Sequence, residues 1–156
     1  MLEQRTGAVQ DAWPELDCYG CGPANDAGIR LKSYLADDGR TLVATVDPDA
    51  RYTSGAENVA YGGYLASLID CHSVWTAITF AHEAADAPLE DHRFEYVTGS
   101  LSAEYLKPTP LDEPLEVRAW IDGDLGKRVT VSSEIRAGGE VTARGEVVAV
   151  EVSGHY

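Results

Sequence analysis

Basic residues are scarce in this chain. Twelve lysines and arginines stand against 26 aspartates and glutamates in 156 residues, a formal net charge of −14. Nucleic-acid binding needs a basic patch, and anionic membranes attract polybasic segments, so neither partner is expected. Most of the acidic excess reads as solvated surface. Cysteine is sparse too: Cys18, Cys21 and Cys71 are the full set. An odd, small number, with no apolar core segment in residues 1–17, points to a reducing compartment, and the cytoplasm is expected. Structural zinc usually takes four ligands. The chain has no second cysteine pair, so no metal site is expected, and Cys18 and Cys21 read as part of a turn with Gly20, Gly22 and Pro23. Repeats and low-complexity tracts are absent. No hydrophobic run suits a bilayer either. The longest, about residues 59–81, carries two glycines, Asp70, His72 and several hydroxyls. An unpartnered carboxylate there argues for a buried helix of a water-facing fold.

Apolar residues make up 44% of the chain, enough for one real core. The organisation expected is a flexible leader over residues 1–16 and a single domain over 17–156. Residues 28–35 alternate and read as a strand. Asp37-Asp38-Gly39 forms a hairpin turn, and residues 41–46 return as a second strand. A helix spans about residues 61–82. Period-two alternation then takes over. Leu101, Ala103 and Tyr105 share one strand face, with Pro108 and Pro110 ending that strand. Leu115 to Ile121, Val129 to Ile135 and Val141 to Ala149 follow as three more strands, separated by Gly-containing turns. A helix apolar nearly all round must be buried on most sides. A curved antiparallel sheet wrapped around it meets that need, giving an α+β fold.

The helix also carries the chemistry. Tyr61-Gly62-Gly63 opens it and Asp70 lies two turns inside. Backbone N–H groups at a helix start have no intrahelical acceptor and can meet an oxyanion, and glycines let a substrate come close. A carboxylate on an apolar helix is costly to bury and suits a base or a nucleophile. Asp70 lies seven residues past Gly63, about 10 Å along a straight helix. One carbonyl cannot touch both. The site must combine the glycines of one chain with Asp70 of another, which predicts a symmetric dimer with two equivalent sites. Ser67 and Ser73 flank Asp70 at i−3 and i+3, and Thr76 is a turn further on. Their hydroxyls either line the site or bond their own helix carbonyls. Asn58 either caps the helix or lines the site, and Tyr61 either presents its hydroxyl or packs as an aromatic. His72 is expected to face away.

Four pieces of the chain carry a family resemblance: CYGCGPANDAGIRL, YGGYLASLID, LSAEYLKPTPLDEPLEVRAWI, and the last strand pair entered by Gly126-Lys127-Arg128. Together, over roughly residues 17–152, they resemble the hotdog-fold thioesterases, and among these the phenylacetic-acid-pathway-type acyl-CoA thioesterases. The resemblance implies a hotdog fold, hydrolysis of acyl-CoA or related thioesters, and a homodimer or dimer of dimers. Coenzyme A enters as part of the substrate, and no cofactor is required. It assigns Gly62 and Gly63 to carbonyl polarisation and Asp70 to the acidic position. Tyr61 stands where the family has histidine. A hydroxyl near Thr76 would hold water, Lys107 and Arg128 are candidates for the coenzyme A phosphates, and Tyr64, Leu68, Trp75 and Tyr105 for the acyl pocket. The alternative is a non-catalytic hotdog protein binding an acyl or aromatic ligand. A hotdog dehydratase would need a motif absent here.

Overall fold

A computed structural model describes residues 5–153. The strands are β1 (Tyr34–Leu35), β2 (Thr41–Val46), β3 (Tyr96–Tyr105), β4 (Leu115–Ile121), β5 (Arg128–Ala137) and β6 (Glu140–Glu151). A single long helix, α1 (Gly62–Ala84), lies between β2 and β3 in sequence. All six strands form one antiparallel sheet in the order β1-β2-β4-β5-β6-β3, so β3 leaves its chain neighbours and pairs at the far edge with β6. The sheet packs against α1, the hotdog arrangement.

Alternation builds the core. Leu115, Val117 and Ala119 of β4, Val129, Val131 and Ile135 of β5, and Ala143, Val147 and Ala149 of β6 are all fully buried. They face Leu65, Leu68, Ile69 and Trp75 of α1 within one cluster. Gly145 sets how closely the helix sits. A methyl group there would run into the Ile69 side chain and come 2.8 Å from Ser133 Oγ. The helix is pinned from another side by His72, which is fully buried. Its Nε2 lies 2.8 Å from the Leu42 carbonyl and its Nδ1 2.8 Å from Ser33 Oγ. Ser33 Oγ also accepts from Gln10 Nε2 at 2.9 Å. Burial lowers the His72 pKa to about 4, so the ring stays neutral.

Two expectations need correction. The flexible leader over residues 1–16 is packed from Ala8 onward: Val9–Ala12 form a short 3-10 helix, and Ala8, Val9, Ala12 and Trp13 are buried. Trp13 donates to the Leu89 carbonyl at 2.8 Å and stacks on His92. Large apolar side chains there had an unsatisfied face of α1 to cover. Residues 1–4 and 154–156, the ends of the two expected segments, lie outside the described residues. The strand expected over residues 28–35 shrinks to Tyr34–Leu35. Arg30 adopts a left-handed φ of 57°, which breaks the extended run. The amides of Ile29 and Leu31 instead donate to the Tyr19 and Gly20 carbonyls at 2.8 and 3.0 Å.

Candidate active site

The chain enters α1 under tight constraint. Ala60 N–H donates to the Thr109 carbonyl and Tyr61 N–H to the Tyr52 carbonyl, at 2.8 and 2.7 Å. Tyr61 is the N-cap residue and supplies no side-chain bond. Its carbonyl accepts from Tyr64 and Leu65. The amides of Gly62 and Gly63 therefore have no acceptor among the described residues. Aromatic rings flank both glycines. Tyr105 Oη donates to the Gly62 carbonyl at 2.7 Å, and the Tyr61 ring lies against Gly63 so closely that a methyl group would collide with it. Both tyrosines are exposed. The absence of a Cβ lets both rings come this close; at Gly62 a methyl group would lie 3.2 Å from the Tyr105 ring, and at Gly63 it would displace the tip of the Tyr61 ring.

Asp70 lies two turns along the same unbroken helix. It is half-buried, and its Oδ1 accepts a hydrogen bond from Thr98 Oγ1 of β3. It borders a mainly apolar cavity of about 240 Å³, shared with Trp13, Cys18, Cys71, Trp75 and Val97. β3 thus meets both halves: Tyr105 at the glycines and Thr98 at Asp70. Beside Thr98 the strand carries a bulge at Gly99, where the pairing with β6 steps from Thr98–Ala149 to Ser100–Val148. A side chain at Gly99 would crowd Val150. Bulges of this kind re-aim side chains next to functional sites.

The other expected residues divide. Thr76 is buried and its hydroxyl donates to the His72 carbonyl at 2.8 Å; Ser67 likewise donates to the Gly63 carbonyl. These hydroxyls serve the helix. Ser73 is fully buried, with no partner for its hydroxyl among the described residues. Asn58 does not cap α1. It sits at a left-handed φ of 52°, and its side chain clamps the loop at residues 111–112, accepting from Leu111 and Asp112 amides and donating to the Asp112 carboxylate. Tyr64 stacks on Tyr52 with ring centroids 4.2 Å apart and borders a different cavity from Asp70, near Arg51 and Asp49. Burial raises its pKa to about 12. Lys107 pairs with Glu140 at 3.2 Å, and Arg128 is exposed at the start of β5. A larger cavity, about 740 Å³, opens near Phe80, Glu83 and Trp120 and touches none of the expected site residues.

Thr98 was missed because its partner is 28 residues away. The signal available was Gly99, since a glycine inside a strand pattern marks a bulge or a close approach. Also unforeseen is the convergence of Cys71 with Cys18 and Cys21 beside Asp70.

A family model described as thioesterase superfamily matches residues 57–144. A thioesterase superfamily protein from Shewanella loihica PV-4 is 32% identical; the match covers 83% of this chain and 97% of that one, with a TM-score of 0.65. A hypothetical thioesterase from Streptococcus pneumoniae TIGR4, solved with coenzyme A, is 18% identical over 78% of this chain and 88% of its own, with a TM-score of 0.62. A Streptococcus mutans UA159 protein bound to acetyl CoA is 18% identical over 72% and 81%, with a TM-score of 0.59. No curated protein matches the chain.

Proposed function

Because the chain belongs to the thioesterase superfamily, we propose that it hydrolyses acyl-CoA thioesters at two equivalent sites of a homodimer. The observation that carries this is a helix with two acceptor-less amides at its start and a half-buried carboxylate bordering an apolar cavity two turns on. In each site, the Gly62 and Gly63 amides of one protomer face the thioester carbonyl oxygen, and Asp70 of the other faces its carbon. Thr98 occupies Asp70 Oδ1, which leaves Oδ2 to take a proton from water. The resulting hydroxide bonds to the carbonyl carbon, and charge passes to the oxygen held by the amides, which need no reorganisation. Collapse expels the coenzyme A thiolate, and the proton on Asp70 passes to solvent, which restores the carboxylate. A reference thiol pKa of about 8.5 makes the thiolate a fair leaving group without a strong general acid.

Coenzyme A as the carrier is supported by the bound ligands of the two streptococcal neighbours. Lys107 and Arg128 are the cations we assign to its phosphates. The dimer is supported by β3, a ten-residue edge strand with Val97, Leu101 and Tyr105 exposed on it. An apolar edge of that length is an aggregation hazard unless a second copy covers it. Three free thiols suit the reducing cytoplasm. No described helix is long and apolar enough to cross a membrane.

The test is thiol release from a panel of acyl-CoAs by wild type and Asp70→Asn. The variant is expected to lose about 10²- to 10⁴-fold in kcat with KM little changed. Unchanged turnover would remove Asp70 from the mechanism. A single turnover in ¹⁸O water separates the two roles: label in the released acid supports the base, label in Asp70 a nucleophile. One observation favours a second reading, ligand binding without hydrolysis: the Tyr61 ring packs where the family has histidine. Calorimetric binding of coenzyme A esters with no thiol release would establish it.

A further inference from the structure

The three cysteines of this chain, 53 residues apart in sequence at their extremes, converge on one point beside Asp70. Cys18 and Cys21 come from the turn that precedes β1, and Cys71 from α1. Their three sulfurs all lie within 4.8 Å of one another, and Cys18 Sγ and Cys71 Sγ are 3.8 Å apart. Four ligands held about 2.3 Å from a tetrahedral zinc ion place neighbouring sulfurs about 3.8 Å apart. The Cys-x-x-Cys spacing is that of a zinc-binding turn. From this geometry we propose that Cys18, Cys21 and Cys71 form a three-thiolate zinc site, with the fourth position turned to the cavity that Asp70 borders and filled by water or a small exogenous ligand.

The surroundings are built for sulfur ligands. Gly20 lets the turn approach α1, since a methyl group there would run into Cys71 Sγ. Gly22 N–H closes the turn on the Cys18 carbonyl at 2.8 Å. Trp75 Nε1–H donates to Cys21 Sγ at 3.3 Å, a bond that stabilises negative charge on that sulfur. The Cys18 thiol is driven well below its ordinary pKa, first by Cys21 and then by Cys71, with the Cys21 and Gly20 amides adding to the effect. Cys21 and Cys71 are pushed up by sharing hydrogen bonds with Cys18. Zinc takes cysteine as thiolate, so its binding at this cluster would release the thiol protons. Zinc with three thiolates carries net charge −1 and is a poor electrophile. Its role is to fasten the turn to α1 and to hold Cys71, and with it the adjacent Asp70, in place.

This site does not rest on the thioester reading, and its test does not use activity. Reduced, chelator-washed protein is titrated with Co²⁺ and then Zn²⁺. Expected are one tetrahedral cobalt–thiolate spectrum per chain, its displacement by zinc, and a rise in Tm on zinc addition. Cys18→Ser and Cys71→Ser are each expected to weaken binding more than about 100-fold. Circular dichroism of each variant separates lost ligation from lost folding, and the wild-type Tm shift stands whether or not the variants fold. Three results would each overturn the site: no thiolate-to-cobalt band in protein whose thiols are confirmed free, a band unchanged in Cys71→Ser, or a Cys18–Cys71 disulfide forming under mild oxidant in protein that binds no metal when reduced.

Discussion

His72 shows how much a single side chain can decide. Its ring joins α1 to β2 through the Leu42 carbonyl, and to the packed N-terminal segment through Ser33 and Gln10. Burial holds its pKa at about 4, whereas the unfolded chain titrates near 6.5. The contribution is therefore complete above pH 6.5. As pH falls from 6.5 towards 4 the unfolded state takes up a proton that the fold refuses, at a cost of roughly 3 kcal/mol. Urea unfolding of wild type and His72→Gln at pH 7 and pH 4 checks this: the variant should start less stable and lose less on acidification. At this scale Asp70, Gly62 and Gly63 stand out in the sequence because a glycine pair and a carboxylate on an apolar helix are local anomalies; the Asp70→Asn assay decides whether they act as proposed. Thr98 and the sulfur cluster do not stand out, because each depends on residues brought together from distant parts of the chain. Thr76 and Asn58 illustrate the reverse problem. A hydroxyl or amide reads alike in sequence whether it serves a ligand or the backbone.

Among the elements, β4 to β6 followed directly from period-two alternation, which matches their buried faces almost residue for residue, and α1 followed from its long apolar run. The strand expected over residues 28–35 failed because alternation says nothing of pairing: ahead of Tyr34 the Ile29 and Leu31 amides found carbonyls in the cysteine turn. Gly145 was read only as a strand residue, yet it sets the contact between β6 and Ile69. Gly145→Ala is expected to destabilise by about 1–3 kcal/mol through overpacking, measurable as a lower urea midpoint with an unchanged m-value. A neutral result would mean that Ile69 and Ser133 have room to move aside.

For the whole molecule, the dimer rests on two arguments of different kinds. One is the length of α1 between Gly63 and Asp70; the other is the exposed apolar edge of β3. If both hold, Leu101→Arg should yield monomers by light scattering and should abolish thiol release, because each site loses one half. A fully active monomer would sink the shared-site arrangement. The bulge at Gly99 bears on the same point through simple parity. Thr98 and Tyr105 are seven positions apart, an odd number, and a regular strand would send them to opposite sides of the sheet. One unpaired residue between them makes the count even in effect. Thr98, opposite Ala149, and Tyr105, opposite Ala143, then face α1 together. Deleting Gly99 should turn the Thr98 end outward, lower Tm and reduce kcat by up to about 100-fold, with residues 100–105 still paired to β6. A deletion mutant with wild-type kcat would show that Thr98 is dispensable. As it stands, the insertion of one glycine is what lets a single edge strand address both ends of the helix at once.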